Sequence, residues 1–336
     1  MIIKTRVYPR AGLVGNPSDG YFGKTISFAF SNFYAEVILY ESSKLEILPN
    51  TRDHLRFESI CQLVEDVHLF GYYGGIRLLK ATVKQFYDYC RENHITLDNR
   101  NFTIQYHTNI PSQVGLAGSS AIITACLHAL MEFYGVSIAK PIQANLILSV
   151  EKKELGISAG LQDRVVQVYG GLVYMNFEKT FFENQGYGQY EELDPKLLPS
   201  LYLAYHDDLS EGSEVFHNDI RNRFERQDSD VISAIQFWIQ LTDQVRECLL
   251  KKEVEKLGEL INKNFDMRRK IYKISHQNIT MIETARSVGA SAKFSGSGGA
   301  IVGTYQDESM YRNLVSALEA RQIKVIQPVI QYPEKK

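Results

Sequence analysis

The stretch that most limits how this chain can fold is Pro111-Ser-Gln-Val-Gly115-Leu116-Ala117-Gly118-Ser119-Ser120-Ala121. It lies between a strand-like segment, F-T-I-Q-Y-H (102–107), and a helical stretch running from Ser120 to about Tyr134. The glycines let the backbone turn tightly and approach a ligand closely. Ser119 and Ser120 fall where a helix N-cap belongs, so hydroxyls and unpaired N–H groups there face an anion. Two readings fit these residues. One is a phosphate loop whose serine hydroxyl ligates Mg²⁺; the other is a serine-capped helix after a glycine turn. No lysine follows the second glycine, which separates the stretch from the G-x-x-x-x-G-K-[ST] phosphate loop.

Around this landmark the chain reads as mixed α and β. Residues 33–40 and 44–48 read as extended segments joined in a hairpin by Glu41-Ser42-Ser43. Ile76, Leu79, Val83, Phe86 and Cys90 recur at three- and four-residue steps, which predicts an amphipathic helix over 75–93. Pro141 opens a further helix expected to reach Glu154. Gly170-Gly171 precedes a strand at 172–176, and the polar stretch 178–198 is expected to hold a domain boundary near 195. Beyond it, strands at 201–205 and 323–328 bracket a helical region (213–288), two short strands around a glycine turn (292–303) and a helix (308–320). The 336 residues suffice for about two domains at ~150 residues each, expected as 1–195 and 196–336.

Three further stretches carry polar chemistry. Lys293-Phe-Ser295-Gly296-Ser297-Gly298-Gly299-Ala300 fits a tight hairpin or a ligand-facing loop. Arg10 to Asp19, with Asn16, Ser18 and Asp19, and Lys24 just beyond, suits a polyhydroxylated ligand or an ordinary Asn-Pro-Ser-Asp turn. Glu151 and Asp163 form a carboxylate pair able to hold a metal and orient a hydroxyl, or a solvated Glu and a helix-capping Asp. Other classes are disfavoured. Lys+Arg 37 against Asp+Glu 39 gives a net charge of -2 and no general pull toward nucleic acid or anionic membrane. Apolar runs fall short of the ~18 residues of a membrane span. Cys61, Cys90, Cys126 and Cys248 are scattered without a Cys-x-x-Cys pair, and a cytoplasmic setting is expected. The histidines lack metal-site spacing, and no Gly-x-Gly-x-x-Gly follows the first strand.

The order of these pieces resembles the GHMP small-molecule kinases. Pro9 to Asp19, with Arg10 at the basic position, is similar to the family's substrate segment; Pro111 to Ala121 is similar to its central ATP-phosphate loop; and Lys293 to Gly299 matches its third motif. The likeness covers almost the whole chain for the branch acting on glucuronate, including 10–27, 154–173 and N-F-D-M-R-R at 264–269. Asn16-Pro17-Ser18-Asp19 replaces the Gly-Glu-His-x-Asp usual in galactokinases, and Arg164 stands where many sugar kinases carry Gln. The resemblance implies an α+β architecture, with a ribosomal-S5-like N-terminal domain and a ferredoxin-like C-terminal domain. It implies ATP and Mg²⁺ as cofactors and a uronic acid phosphorylated at its anomeric hydroxyl. It places Gly115 to Ala121 on the nucleotide, Ser120 and Glu151 on Mg²⁺, and Asp163 with Arg10 at the catalytic position. On the acceptor side it points to Asn16, Ser18, Asp19, Lys24, Ser295, Gly296 and Gly298, with Arg164, Lys24 and Arg268 as candidate readers of the acceptor's carboxylate. Another sugar kinase, a decarboxylase on this fold and a non-catalytic sensor are the rival expectations; neither nucleic acid nor membrane is an expected partner.

Overall fold

The computed structural model describes residues 1–49, 53, 59–60, 74–206 and 214–332. Its contacts group the chain into two units that interleave along the sequence: Met1–Pro9, Phe33–Ile110 and Gly118–Ala159 in the first, and Arg10–Asn32, Pro111–Ala117 and Gly160–Lys336 in the second.

In the first unit, β1 (Ile2–Val7), β4 (Ala35–Ser42), β5 (Glu46–Ile47) and β6 (Asn101–Thr108) form one sheet in the order β1-β4-β6-β5. Along β4 the buried Ala35, Val37 and Leu39 alternate with more exposed neighbours, the two-residue period of a half-covered sheet. The covering elements are α1 (Gly75–Glu92) and α2 (Gly118–Tyr134), which pack on each other, with α2 on β1 and β4. The period read over 75–93 is therefore the period of α1. The expected hairpin does not form: β4 runs on through Ser42, and β5 pairs in parallel with β6 at Thr103 and Ile104. Alternation marks a segment as extended; it carries no information about which neighbour has an open edge. The helix opened by Pro141 is α3 (Lys140–Ser149), and its last stretch, Val150–Glu154, widens into a π-turn.

The second unit has two sheets. β2 (Arg10–Val14), β3 (Lys24–Ala29), β7 (Leu172–Asn176) and β8 (Gln189–Leu193) are antiparallel in the order β2-β3-β7-β8. The segment read as a polar turn from Arg10 is thus a strand as far as Val14, followed by a tight turn and the 3₁₀ turn Ser18–Tyr21. Every residue of β2 is buried, so it lacks the alternation that reveals a strand with one wet face. The polar stretch 178–198 likewise holds α5 (Lys179–Gln185) and β8, whose Glu191 and Tyr190 face β7 across the ladder. α4 (Gln162–Tyr169) precedes β7 through the Gly170-Gly171 break.

The other sheet joins β9 (Leu201–His206), β10 (Lys293–Phe294), β11 (Ala300–Thr304) and β12 (Ile323–Ile326) in the order β10-β11-β9-β12, all antiparallel. With helices between β9 and β10 and between β11 and β12, this is the strand order of a ferredoxin-like βαββαβ unit. α6 (Glu214–Glu225), α7 (Ser229–Lys251), α8 (Leu257–Ile271), α9 (His276–Ser287) and α10 (Glu308–Glu319) supply the helices. Tyr202, Phe265, Met281, Phe294 and Leu314 pack in one core between α8, α9, α10 and this sheet. A cut near 195 falls between β8 and β9, whereas contacts join β2, β3 and β7 to the later elements because α7 lies on β2 and β3. Cys90, Cys126 and Cys248 are free and buried; Cys61 lies outside the described residues.

Gly303 in β11 backs directly onto the carbonyl of Ser291, which a Cβ at that position would overlap. The obstacle is backbone and cannot rotate aside. Gly303→Ala is expected to cost about 1–3 kcal/mol, read as a lower midpoint in guanidinium unfolding; an unchanged midpoint would show that the strand shifts freely.

Candidate active site

Arg10 begins β2 with a guanidinium that is almost wholly buried. Its Nε donates to Asp163 Oδ1 at 2.6 Å, and its Nη1 donates to the carbonyls of Gly115 (2.8 Å) and Ser295 (3.1 Å). One side chain therefore gathers residues from four distant parts of the sequence, all in the second unit. Arg164 adds a second cation: its Nη1 lies 3.2 Å from Asp163 Oδ2 and donates to the Gly160 carbonyl at 2.8 Å. Burial pushes the Asp163 carboxyl up, but the charges of Arg10 and Arg164 outweigh it and hold the group below its ordinary value.

Asp19 behaves oppositely. Burial and the charge of Asp163 push its pKa up to about 6, only partly opposed by Arg10 and the N–H groups of Asp19 and Gln162. Gly160 makes room for it: a Cβ there would lie 2.5 Å from Asp19 Oδ2. Two carboxylates beside one arginine are thus driven apart, one kept ionised and one poised near neutrality.

The Gly115–Ala117 loop is held by its carbonyls. Gly115 O accepts from Arg10 Nη1, Leu116 O from the Arg10 N–H (3.4 Å), and Ala117 O from Gln167 Nε2 (2.8 Å). In a trans peptide the following N–H points opposite to the carbonyl, so tying back these carbonyls leaves the N–H groups of residues 116 to 118 facing the other way. Gly115 (φ +72°) and Ala117 (φ +63°) are left-handed on either side of Leu116. This alternation of hand curls successive N–H groups into an anion-binding concavity. α2 then begins at Gly118, two residues before the expected start, so Ser119 and Ser120 sit in its first turn and not at its N-cap.

These geometries suit the groups a nucleotide-dependent enzyme needs. The N–H groups of residues 116 to 118 face the way an anion such as a phosphate would be met. Ser120 and Glu151, both buried in the first unit, carry hard oxygen donors of the type Mg²⁺ takes.

The remaining predicted residues fall in two groups. Asn16, Asp19, Ser295 and Gly296 join the Arg10 cluster: Gly12 N–H donates to Ser295 O at 2.8 Å, and Asn16 Nδ2 lies 3.4 Å from both Phe294 O and Gly296 O. Ser18 is occupied locally, its hydroxyl bonding the backbone of Lys24, and Lys24 is ion-paired with Asp243 at 2.6 Å. Gly298 takes φ +150° in the third loop, whose next residue, Gly299, donates to Asn278 Oδ1. Arg268 is buried and bonds the carbonyls of Gly296 and Ser297.

Sequence reasoning missed three residues of this cluster. Gln162 is buried beside Gly12 and Asn16, and its N–H serves Asp19. Lys293, also buried, donates to Gly12 O and Phe294 O, and Asn264 clasps the turn at Gly15 and Asn16. Each stands inside a quoted motif, but polar side chains that serve backbone groups leave no periodic signal.

Residues 77–171 match the GHMP kinases N terminal domain. "Probable glucuronokinase 2" of Arabidopsis thaliana is 48% identical over 308 residues, covering 90% of this chain and 84% of its own length. "Glucuronokinase 1" of the same plant is 47% identical over 306 residues, covering 89% and 84%. The crystal structure of Lactococcus lactis galactokinase complexed with galactose superposes with a TM-score of 0.78 at 14% identity, over 99% of this chain and 94% of that one. The chain belongs to the GHMP kinase family. It is accordingly a phosphotransferase acting on a small-molecule hydroxyl.

The coupling between the two carboxylates is directly measurable. Asp163→Asn removes the like charge that raises Asp19 and frees Arg10 to serve it, so the Asp19 midpoint should fall from about 6 toward the ordinary carboxylate range. Carbon-13 NMR of labelled aspartate carboxyls across pH 3–8 reads it, and an unmoved midpoint would show that the two groups do not sense each other.

Proposed function

We propose that this kinase transfers the γ-phosphoryl group of ATP to the anomeric hydroxyl of D-glucuronate, giving the 1-phosphate and ADP, with Mg²⁺ as cofactor. The observation that carries the reading is the ionised Asp163 held between Arg10 and Arg164, in a chain nearly half identical to two proteins named as glucuronokinases. Phosphoryl transfer asks chiefly for positioning and charge neutralisation, and bound Mg²⁺ would supply part of the latter on the phosphates. Asp163 accepts the hydrogen bond of the acceptor hydroxyl and aims its oxygen. A carboxylate stabilised by two guanidinium groups is a weak base, so it orients first and takes up the proton only as the new bond forms. The amides of residues 116 to 118 hold phosphate oxygens, and Ser120 with Glu151 hold the metal.

Arg164 is the residue we assign to the acceptor's carboxylate. Lys24 is committed to Asp243, and Arg268 to two backbone carbonyls. Arg164 adjoins Asp163, with its Nη1 3.2 Å from Asp163 Oδ2, and an arginine can grip both oxygens of a carboxylate. Free buried cysteines suit a reducing compartment, and we place the enzyme in the cytoplasm. No helix among the described residues is long and apolar enough to cross a membrane.

ADP release across a panel of uronic acids and free sugars tests the substrate, with glucuronate expected to lead; turnover of neutral sugars alone would overturn the assignment. In the same assay Asp163→Asn should lose about 10²–10⁴-fold in rate with ADP affinity kept. Arg164→Gln should lose roughly ten- to a hundredfold in kcat/KM for glucuronate with little change in KM for ATP. Undiminished discrimination between glucuronate and glucose in that variant would remove Arg164 as the reader.

A further inference from the structure

Asn264 and Arg268 lie one turn apart on the same side of α8. Both are buried, and neither serves its own helix. The Asn264 carboxamide accepts the Gly15 N–H at 2.7 Å through Oδ1 and donates from Nδ2 to the Asn16 carbonyl at 3.1 Å, pairing with that turn as a neighbouring strand would. Its own carbonyl accepts from Trp238 Nε1 on α7 at 3.2 Å, which fixes the turn of helix that carries it.

Arg268 does the same for the third loop. Nη1 donates to Gly296 O at 2.8 Å and Nη2 to Ser297 O at 2.9 Å, so the planar fork fits two successive carbonyls. Its guanidinium carbon sits 5.0 Å from the ring centres of both Tyr272 and Phe294. Among the described residues no carboxylate lies within ion-pair distance of it, and the charge of Asp19 only partly offsets its burial. Burying a cation without a direct ion pair is costly, and a neutral side chain would fill the space at lower cost if packing were all that mattered.

The loop that Arg268 grips lies against the phosphate-side loop. A Cβ on Gly296 would stand 2.5 Å from Gly115 O, and one on Gly115 would stand 2.7 Å from Gly298 O. The turn that Asn264 grips carries Asn16 and leads to Asp19. One rigid helix face thus holds both the acceptor-side turn and the loop abutting Gly115.

We infer that Asn264 and Arg268 are positioning residues, which together set the spacing between the turn at 15–16 and the loop at 296–297 and so align acceptor with phosphoryl donor. The inference rests on the kinase reading for its catalytic consequence but not for its structural one. Because Arg268 acts through carbonyl geometry and not through charge on the substrate, lysine cannot replace it.

The experiment pairs kinetics with amide hydrogen exchange on the full chain. Arg268→Lys keeps the charge but cannot bridge two carbonyls. It should exchange faster at 295–299 and lose on the order of 10²-fold in kcat, the scale of an ångström of misalignment. The KM values for ATP and glucuronate should change far less, and the preference for glucuronate over glucose should be kept. Asn264→Ala should loosen 15–17 with a similar kcat loss, and Asn264→Asp, which keeps the accepting oxygen, should restore protection at Gly15. A lysine variant with full kcat and altered sugar-acid preference would make Arg268 a reader of substrate charge and overturn the inference. Unchanged exchange at both segments would overturn it equally. Should the wild type turn over no sugar or sugar acid, the function fails while exchange still decides whether α8 sets these two segments.

Discussion

The ion pair between Arg10 and Asp163 is the contact on which the site depends. It joins the first residue of β2 to the first turn of α4, and the same guanidinium holds the carbonyls of Gly115 and Ser295. Removing one partner of a buried pair leaves the other uncompensated, commonly at a cost of about 3–5 kcal/mol. Here it would also release two loops. The fit is close enough to dictate a neighbour: a Cβ on Gly296 would lie 3.0 Å from each Arg10 Nη and 2.5 Å from Gly115 O. Glycine at 296 follows from the space the arginine occupies.

A shared device runs through the second unit. Its buried donors spend themselves on backbone carbonyls: Arg10 on Gly115 and Ser295, Gln167 on Ala117, Lys293 on Gly12, Arg268 on Gly296 and Ser297. Peptide planarity converts each held carbonyl into an N–H aimed the other way. Loops with little side chain of their own are thereby given a fixed face without bulk on it. The glycines at 115 and 296 let the two loops meet, since a Cβ on either would run into the backbone of the other loop.

Much of this was readable from the residues. The three- and four-residue steps from Ile76 to Cys90 match α1, the Gly170-Gly171 break precedes β7, and the glycine loop at 292–303 separates β10 from β11. Arg10, Asp163 and the Gly115 loop were singled out by the resemblance to the GHMP kinases; by residue type alone an ordinary turn and a helix-capping Asp stayed open, and the structure brings the three together. Strand β2 was not legible, since burial on both faces erases alternation, and β5 was assigned the wrong partner because pairing is decided by sheet edges and not by local pattern. The roles of Asn264, Lys293 and Gln162 escaped for a related reason. Their partners are backbone atoms up to 281 positions away, and backbone atoms have no residue identity to read.

The charge balance of the buried cluster bears on what it can bind. Lys293 carries no carboxylate partner among the described residues; burial, then the nearby Arg268 and Arg10, push its pKa well below the ordinary lysine value, and its amine donates to the carbonyls of Gly12 and Phe294. Asp19 is moved the other way, toward protonation. The guanidinium groups of Arg10, Arg164 and Arg268 lie in one cluster with the carboxylate of Asp19 and that of Asp163, which is held ionised. Two of those arginines already share it, and the third holds only carbonyls. A carboxylate on the acceptor would add a counter-charge to this cluster, which a neutral sugar would not, and low-dielectric surroundings amplify such a difference. On the proposed function, selectivity for a sugar acid would draw on this balance of charges, with Arg164 as the contact.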